Sequence, residues 1–202
     1  MSTPIFEANP SRHLRSTRLV HAGLALSICL QLGSSLVMKG PSETASGDLA
    51  FQLHRYSGFA AMAFALMFWI IVFSRHKGTS AGALFPWFSP TRRRAFFSDL
   101  TEHLWAALRL KLPAFDEVGA LPSGIHGLGL LLVAAMAASG TLYAIEVAMG
   151  IHSAKPDGMY AMTIHFALGN LVWAYLIGHA ALGTLHHFVG SASLARMWRL
   201  GS

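Results

Sequence analysis

A chain of 202 residues accommodates one ordinary soluble domain or a handful of membrane helices, and composition separates the two: 53% of residues are hydrophobic and 12% charged, about half the roughly 25% charge of a soluble globular domain. The apolar residues come in long blocks that water could not solvate, which excludes a soluble fold. The formal charge of +6 forms no single basic stripe; Lys and Arg lie between and beside the apolar blocks, which argues for membrane topology and against a nucleic-acid partner.

The first apolar run follows eighteen polar or mixed residues and lacks a small-residue cleavage pattern, so no secretory signal is expected and the first helix stays in the mature protein. Cys29 is the only cysteine, which excludes an internal disulfide, a CxxCH haem attachment and a cysteine-based zinc or iron-sulfur site. Any buried cofactor must use other ligands.

Four segments reach the length of about 20 apolar residues that crosses a bilayer: Leu19 to Met38, Leu53 to Phe73, Ile125 to Val147, and Tyr160 to Val189. None alternates apolar with polar residues as a barrel strand does, and an open strand would leave amides unpaired in lipid, so all four are expected as helices. Lys and Arg number three before the first span, seven between the second and third, and two after the fourth; the other side carries Lys39, Arg55 and Lys155. The positive-inside rule therefore places both termini in the cytoplasm.

Between the second and third spans, LFPWFSPTRRR sets aromatics beside three arginines, as a chain running along headgroups would. FFSDLTEHLWAALRLKL follows, with apolar residues at Phe96, Leu100, Leu104 and Leu108 on one helical face. It reads as an interfacial helix, the alternative being a cytoplasmic helix packed on the bundle. No repeat, low-complexity tract or second domain is evident. The expected architecture is an all-α membrane protein in which residues 1–202 form one four-transmembrane-helix bundle.

The run HFALGNLVWAYLIGHAALGTLHH, from His165 to His187, carries four histidines through a segment meant for hydrocarbon. Ionisable groups are costly there, so each is a functional candidate, although a neutral imidazole can also bond a carbonyl or sit in the wet interface. His165 and His179 are 14 residues apart, four repeats of 3.5, so both face one interior seam, about 21 Å apart along the helix. Helix direction puts His54 at the level of His165 near the outer face and His21 at the level of His179 near the inner face. His126 opens the third span from the inside and competes with His21, and spacing does not choose between them.

Two neutral imidazoles facing each other with no carboxylate or thiolate beside them suit the axial positions of a haem iron, whereas zinc normally takes more protein ligands. Gly58, Gly169 and Gly183 each lie one turn after a histidine, where a missing side chain admits either a flat macrocycle or a neighbouring helix. Arg55 adjoins His54 and Arg18 lies one turn before His21. They are candidates for pairing with haem propionates, or are ordinary flanking arginines.

These residues resemble the bacterial cytochrome b561 and nickel-hydrogenase b-type cytochrome family, including the membrane subunits of respiratory formate dehydrogenases. The resemblance spans all four segments through RLVHAGL around His21, LHRYSGF around His54, IHGLGLL around His126 and HFALGNLVWAYLIGHAALGTLHHF. It implies two b haems, the outer held by His54 and His165 and the inner by His21 and His179. His126, His186 and His187 are left without an assigned role, the last two either at the cytoplasmic interface or in a quinone pocket.

The resulting expectation is a multi-pass protein of the bacterial inner membrane that passes single electrons between a donor and the quinone pool of a respiratory chain. It would act alone, or as the haem-binding anchor subunit of a hydrogenase or dehydrogenase. Sequence lacks iron-sulfur and flavin motifs, so an anchor needs a redox partner. A histidine-containing transporter is the alternative of another class, but no inverted repeat or midplane acid appears, since Glu146 and Asp157 fall near the outer ends. A purely structural anchor would not explain histidines paired by depth.

Overall fold

The computed structural model describes residues 14–41, 47–74, 78–111, 116, 119–151 and 159–189. Both chain ends, with Arg12, Arg196 and Arg199, and the connections carrying Arg75, Lys77, Lys155 and Asp157, lie outside the described residues. Within them the protein is helical: α1 Arg15–Ser35, α2 Leu49–Ser74, α3 Ala81–Leu84, a 3-10 turn Pro86–Phe88, α4 Pro90–Leu108, α5 Ala120–Ala148 and α6 Tyr160–Phe188.

Three of these, α2, α5 and α6, are long and apolar enough to cross a membrane. α1 has the length, since 21 residues extend about 32 Å, but Arg15, Arg18, His21, Ser27, Gln31, Ser34 and Ser35 make it more polar than the other three. Several of those polar groups face protein: Arg18, Ser27 and Ser34 are buried. The hydroxyls of Ser27, Ser34 and Ser35 bond back to carbonyls of their own helix, at 2.9 Å to Gly23, 2.6 Å to Leu30 and 2.7 Å to Leu32, which satisfies them without water.

α1 packs on α2, α2 on α5 and α5 on α6. In lipid, apolar burial does not drive helices together, so close approach of backbones matters more. α2 offers Ser57, Ala61 and Ala65, all buried, at four-residue spacing. Around them Leu24, Val133, Ile28, Phe64 and Phe68 form one core cluster. Gly23 lies against Phe64, where a Cβ would collide with the ring. By contrast only 17% of the most apolar window of α6 is buried inside the structure, and Phe166, Leu171, Ile177 and Leu182 are exposed. A surface of that kind requires lipid around it.

The segment between α2 and α5 folds against the bundle more than an aromatic stretch along headgroups would. Phe85 stacks on Trp69 of α2 with centroids 5.4 Å apart and planes at 6°. The Leu84 carbonyl occupies the place a Cβ on Gly127 would take, and the Phe96 ring stands 2.7 Å from that of Gly124. Ser89 caps α4 by accepting from the Arg92 amide, with Pro90 at the first helical position; this S-P start brings Arg92, Arg93 and Arg94 into the helix instead of an extended run. Of the expected apolar face, Phe96 is buried, whereas Leu104 and Leu108 are exposed together with Trp105. Asp99 reaches across to cap α5, its Oδ2 accepting from the amides of Ala120 at 3.0 Å and Leu121 at 3.3 Å.

Candidate haem sites

α6 carries His165 near its start and His179 14 residues later, about 21 Å along the axis, and each meets a histidine of another helix. His165 faces His54 of α2, ring centroids 6.2 Å apart and planes at 80°. His179 faces His21 of α1 at 6.5 Å and 55°. α6 does not pack closely on α1 or α2 through its backbone, so at these levels the helices meet through imidazoles.

The His54 and His165 rings share one hydrogen-bonding pattern. His54 Nδ1 lies 3.0 Å from the Gln31 carbonyl and His165 Nδ1 lies 3.1 Å from the Met136 carbonyl. A carbonyl only accepts, so each Nδ1 carries the proton and each Nε2 keeps its lone pair, the form a metal ligand needs. Gln31 holds His54 twice, because its side-chain amide also donates to the His54 carbonyl and, at 2.8 Å, to Ser57 Oγ.

At the other level His179 has three ring neighbours. Besides His21, Tyr175 lies parallel to it at 5.5 Å and 9°, and His126 stands edge-on at 5.2 Å and 86°. His126 Nδ1 donates to the Pro122 carbonyl at 2.6 Å. Gly129 makes the room for Tyr175, whose ring a Cβ there would strike. In the last turn of α6, His186 is half-buried and His187 exposed beside Phe188.

The remaining candidates are placed as follows. Arg18 is buried one turn before His21. Arg55 is exposed, and its guanidinium lies 4.9 Å from the Tyr56 ring centre and bonds the Tyr56 hydroxyl at 2.9 Å. A Cβ on Gly58 would meet the Gln31 amide at 3.2 Å, so this glycine admits the α1 side chain; one on Gly169 meets nothing within 4 Å. Gly140 presses on His165, with a Cβ there 3.0 Å from Cε1.

The prokaryotic cytochrome b561 family model matches residues 12–200. The chain belongs to this family. No curated protein and no solved structure matches it in the corresponding comparisons. Cytochrome b561 membership makes the chain a membrane protein of b-type haem electron transfer.

The residues present fit b haem. Two protein ligands suffice for its iron, and among the described residues no cluster of three or more His, Cys, Asp or Glu is placed to hold a bare metal ion. A metal–imidazole bond of about 2.0 Å plus roughly 1.1 Å from nitrogen to ring centre, taken on both sides, gives centroids ~6.2 Å apart. The separations of 6.2 and 6.5 Å lie close to that figure, and the 5.2 Å between His126 and His179 falls roughly 1 Å short of it.

Sequence reasoning missed Gln31, Ser34, Met136, Ser139, Gly140 and Tyr175. Of these, Tyr175 had a readable signal, since it stands four residues before His179 on the same helix face.

Proposed function

We propose that this cytochrome b561 carries single electrons across the bacterial inner membrane through two b haems, linking a donor to the quinone pool. The observation that carries the reading is the pair of facing imidazole sets at opposite ends of α6, each spaced for one iron between two rings. His54 and His165 would hold the outer group, His21 and His179 the inner one. The 5.2 Å contact supports His126 as a neighbour of His179 instead of its axial partner.

Haem iron, when bound, supplies the one-electron chemistry. The protein's part is to present Nε2 lone pairs from fixed directions, to keep water away with an apolar sheath, and to set ligand basicity through the partners of Nδ1. Arg18 and Arg55 stand at the inner and outer levels as partners for propionates; the contacts of Arg55 are with a neutral phenol, which leaves its charge available to an anion.

Four spans with both termini cytoplasmic complete the reading. α1 counts as the fourth because it has the length, its serines bond their own helix, and the lysines and arginines divide unequally between the two sides. α4 lies at the cytoplasmic interface, where exposed Leu104, Trp105 and Leu108 enter the headgroup boundary beside Arg109 and Lys111. An apolar acceptor moving within the bilayer, such as a quinone, suits a carrier with this surface. A dehydrogenase or hydrogenase subunit is the partner of the anchor alternative.

Potentiometric titration of single-histidine variants tests the assignment. His54→Ala and His165→Ala should remove the same redox component, His21→Ala and His179→Ala the other, and His126→Ala neither. Loss of a component in His126→Ala but not in His21→Ala would overturn the inner pairing.

A further inference from the structure

The two outer histidines are held by the same device built twice. On α1, His54 Nδ1 lies between the Gln31 carbonyl at 3.0 Å and Ser34 Oγ at 3.2 Å. On α5, His165 Nδ1 lies between the Met136 carbonyl at 3.1 Å and Ser139 Oγ at 3.0 Å. In both, a carbonyl at one position and a serine hydroxyl three residues later take one imidazole proton together, across a helix contact.

The serines' roles are fixed by their own helices. Ser34 Oγ donates to the Leu30 carbonyl at 2.6 Å and is 3.1 Å from that of Gln31, and Ser139 Oγ donates to that of Met136 at 2.9 Å. A hydroxyl has one proton. With that proton turned into its own helix, each serine can only accept from the histidine. Both serines are 6% exposed, so water does not substitute for either contact.

Two acceptors fixed on one helical turn define the plane of an imidazole where a single acceptor leaves it free to swing about the Cβ–Cγ bond. The His54 and His165 planes stand at 80° to each other, and each is clamped from a different helix. We propose that Ser34 and Ser139 are positioning residues that hold the two outer axial imidazoles nearly perpendicular. The inference rests on the assignment of His54 and His165 to the outer haem. It adds that the sequences QLGS and MAAS set the relative rotation of its ligands.

In low-spin ferric haem the angle between axial imidazole planes governs the anisotropy of the electron paramagnetic resonance signal, and ligand hydrogen bonding is one of the protein's means of controlling the site. The test uses the full-length, haem-loaded protein as purified in detergent. Ser34→Ala and Ser139→Ala should keep the wild-type haem content while the outermost g feature of the outer haem shifts and broadens, with the inner haem signal unmoved. Ser34→Thr and Ser139→Thr, which keep a hydroxyl able to bond the preceding turn, should restore the wild-type line.

Superimposable spectra of the alanine variants and wild type at equal haem content would overturn the proposal. So would equal displacement of both haem signals, which marks general loosening of the bundle. If an alanine variant loses the outer haem, the threonine variant decides: retention supports a hydroxyl clamp, and loss in both contradicts it. Failure of the underlying assignment is separately visible, because His54→Ala and His165→Ala would then leave the outer signal intact.

Discussion

Gly140 of α5 lies against the ring of His165 of α6 so closely that a Cβ built on it would stand 3.0 Å from Cε1 and 3.3 Å from Nδ1. The imidazole would have to yield by a few tenths of an ångström to accept even a methyl group. Gly140→Ala is therefore expected to keep the bundle folded but weaken outer haem retention, with overpacking of roughly 1–3 kcal/mol. Gly140→Leu should remove the outer haem while leaving the inner one. Haem content of the two variants under matched expression checks the order.

Tyr175 performs a related service for the inner pair, filling the space over Gly129 and lying parallel to His179. The stacking depends on the ring, so Tyr175→Phe should match wild type in inner haem content. Tyr175→Ala opens a cavity beside an axial ligand, and large aromatic truncations in packed sites cost about 3–5 kcal/mol. Selective loss of the inner redox component in the alanine variant alone is the expected titration result.

Gln31 ties α1 to α2 by donating to the His54 carbonyl and to Ser57 Oγ. Replacing it with leucine leaves those acceptors short of a donor in a part-buried site, at a cost of about 1–3 kcal/mol. The Gln31→Leu protein should unfold at a lower temperature in detergent and lose outer haem before inner haem on heating. Coincident loss of both would assign Gln31 to general packing.

Two aspartates start membrane helices. Asp99 Oδ2 accepts from two α5 amides, so Asp99→Ala should cost about 0.5–2 kcal/mol, as a lost cap does, read as reduced thermal stability with haem spectra unchanged. Asp48 Oδ1 accepts from the Phe51 amide at 2.8 Å, and that bond lowers its pKa below the ordinary carboxylate value. A lowered folded pKa gives stability that is present above the unfolded pKa of about 3.9 and is lost as pH falls through the folded value. The stability gap between wild type and Asp48→Asn should accordingly be constant from pH 7 to 5 and close as the solution is acidified further.

Much of the site could be read from the sequence because helical geometry is one-dimensional. The 14-residue interval between His165 and His179, with alternating helix direction, sets which histidines share a level, and the structure brings His54 beside His165 and His21 beside His179. Spacing alone does not separate His21 from His126, since both start at the same end; the family resemblance favours His21, and in the structure both rings lie beside His179. Ser34 and Ser139 could not be found by spacing, because what they do depends on the rotational register of α1 against α2 and of α5 against α6. Gly58 invited a cofactor reading, yet its neighbour is Gln31; a small residue on a membrane helix does not announce which partner it admits. Hydropathy also treated α1 as equal to the other spans, although Arg18, Ser27 and Ser34 are buried and the hydroxyls of Ser27, Ser34 and Ser35 bond carbonyls of their own helix.

The most direct measurement is the pyridine haemochrome of the purified protein, expressed with ample porphyrin supply and quantified per polypeptide. The account predicts about two b haems per chain, falling to about one in His165→Ala and in His179→Ala. A protein that remains colourless, or that keeps its full haem after loss of both α6 histidines, contradicts it.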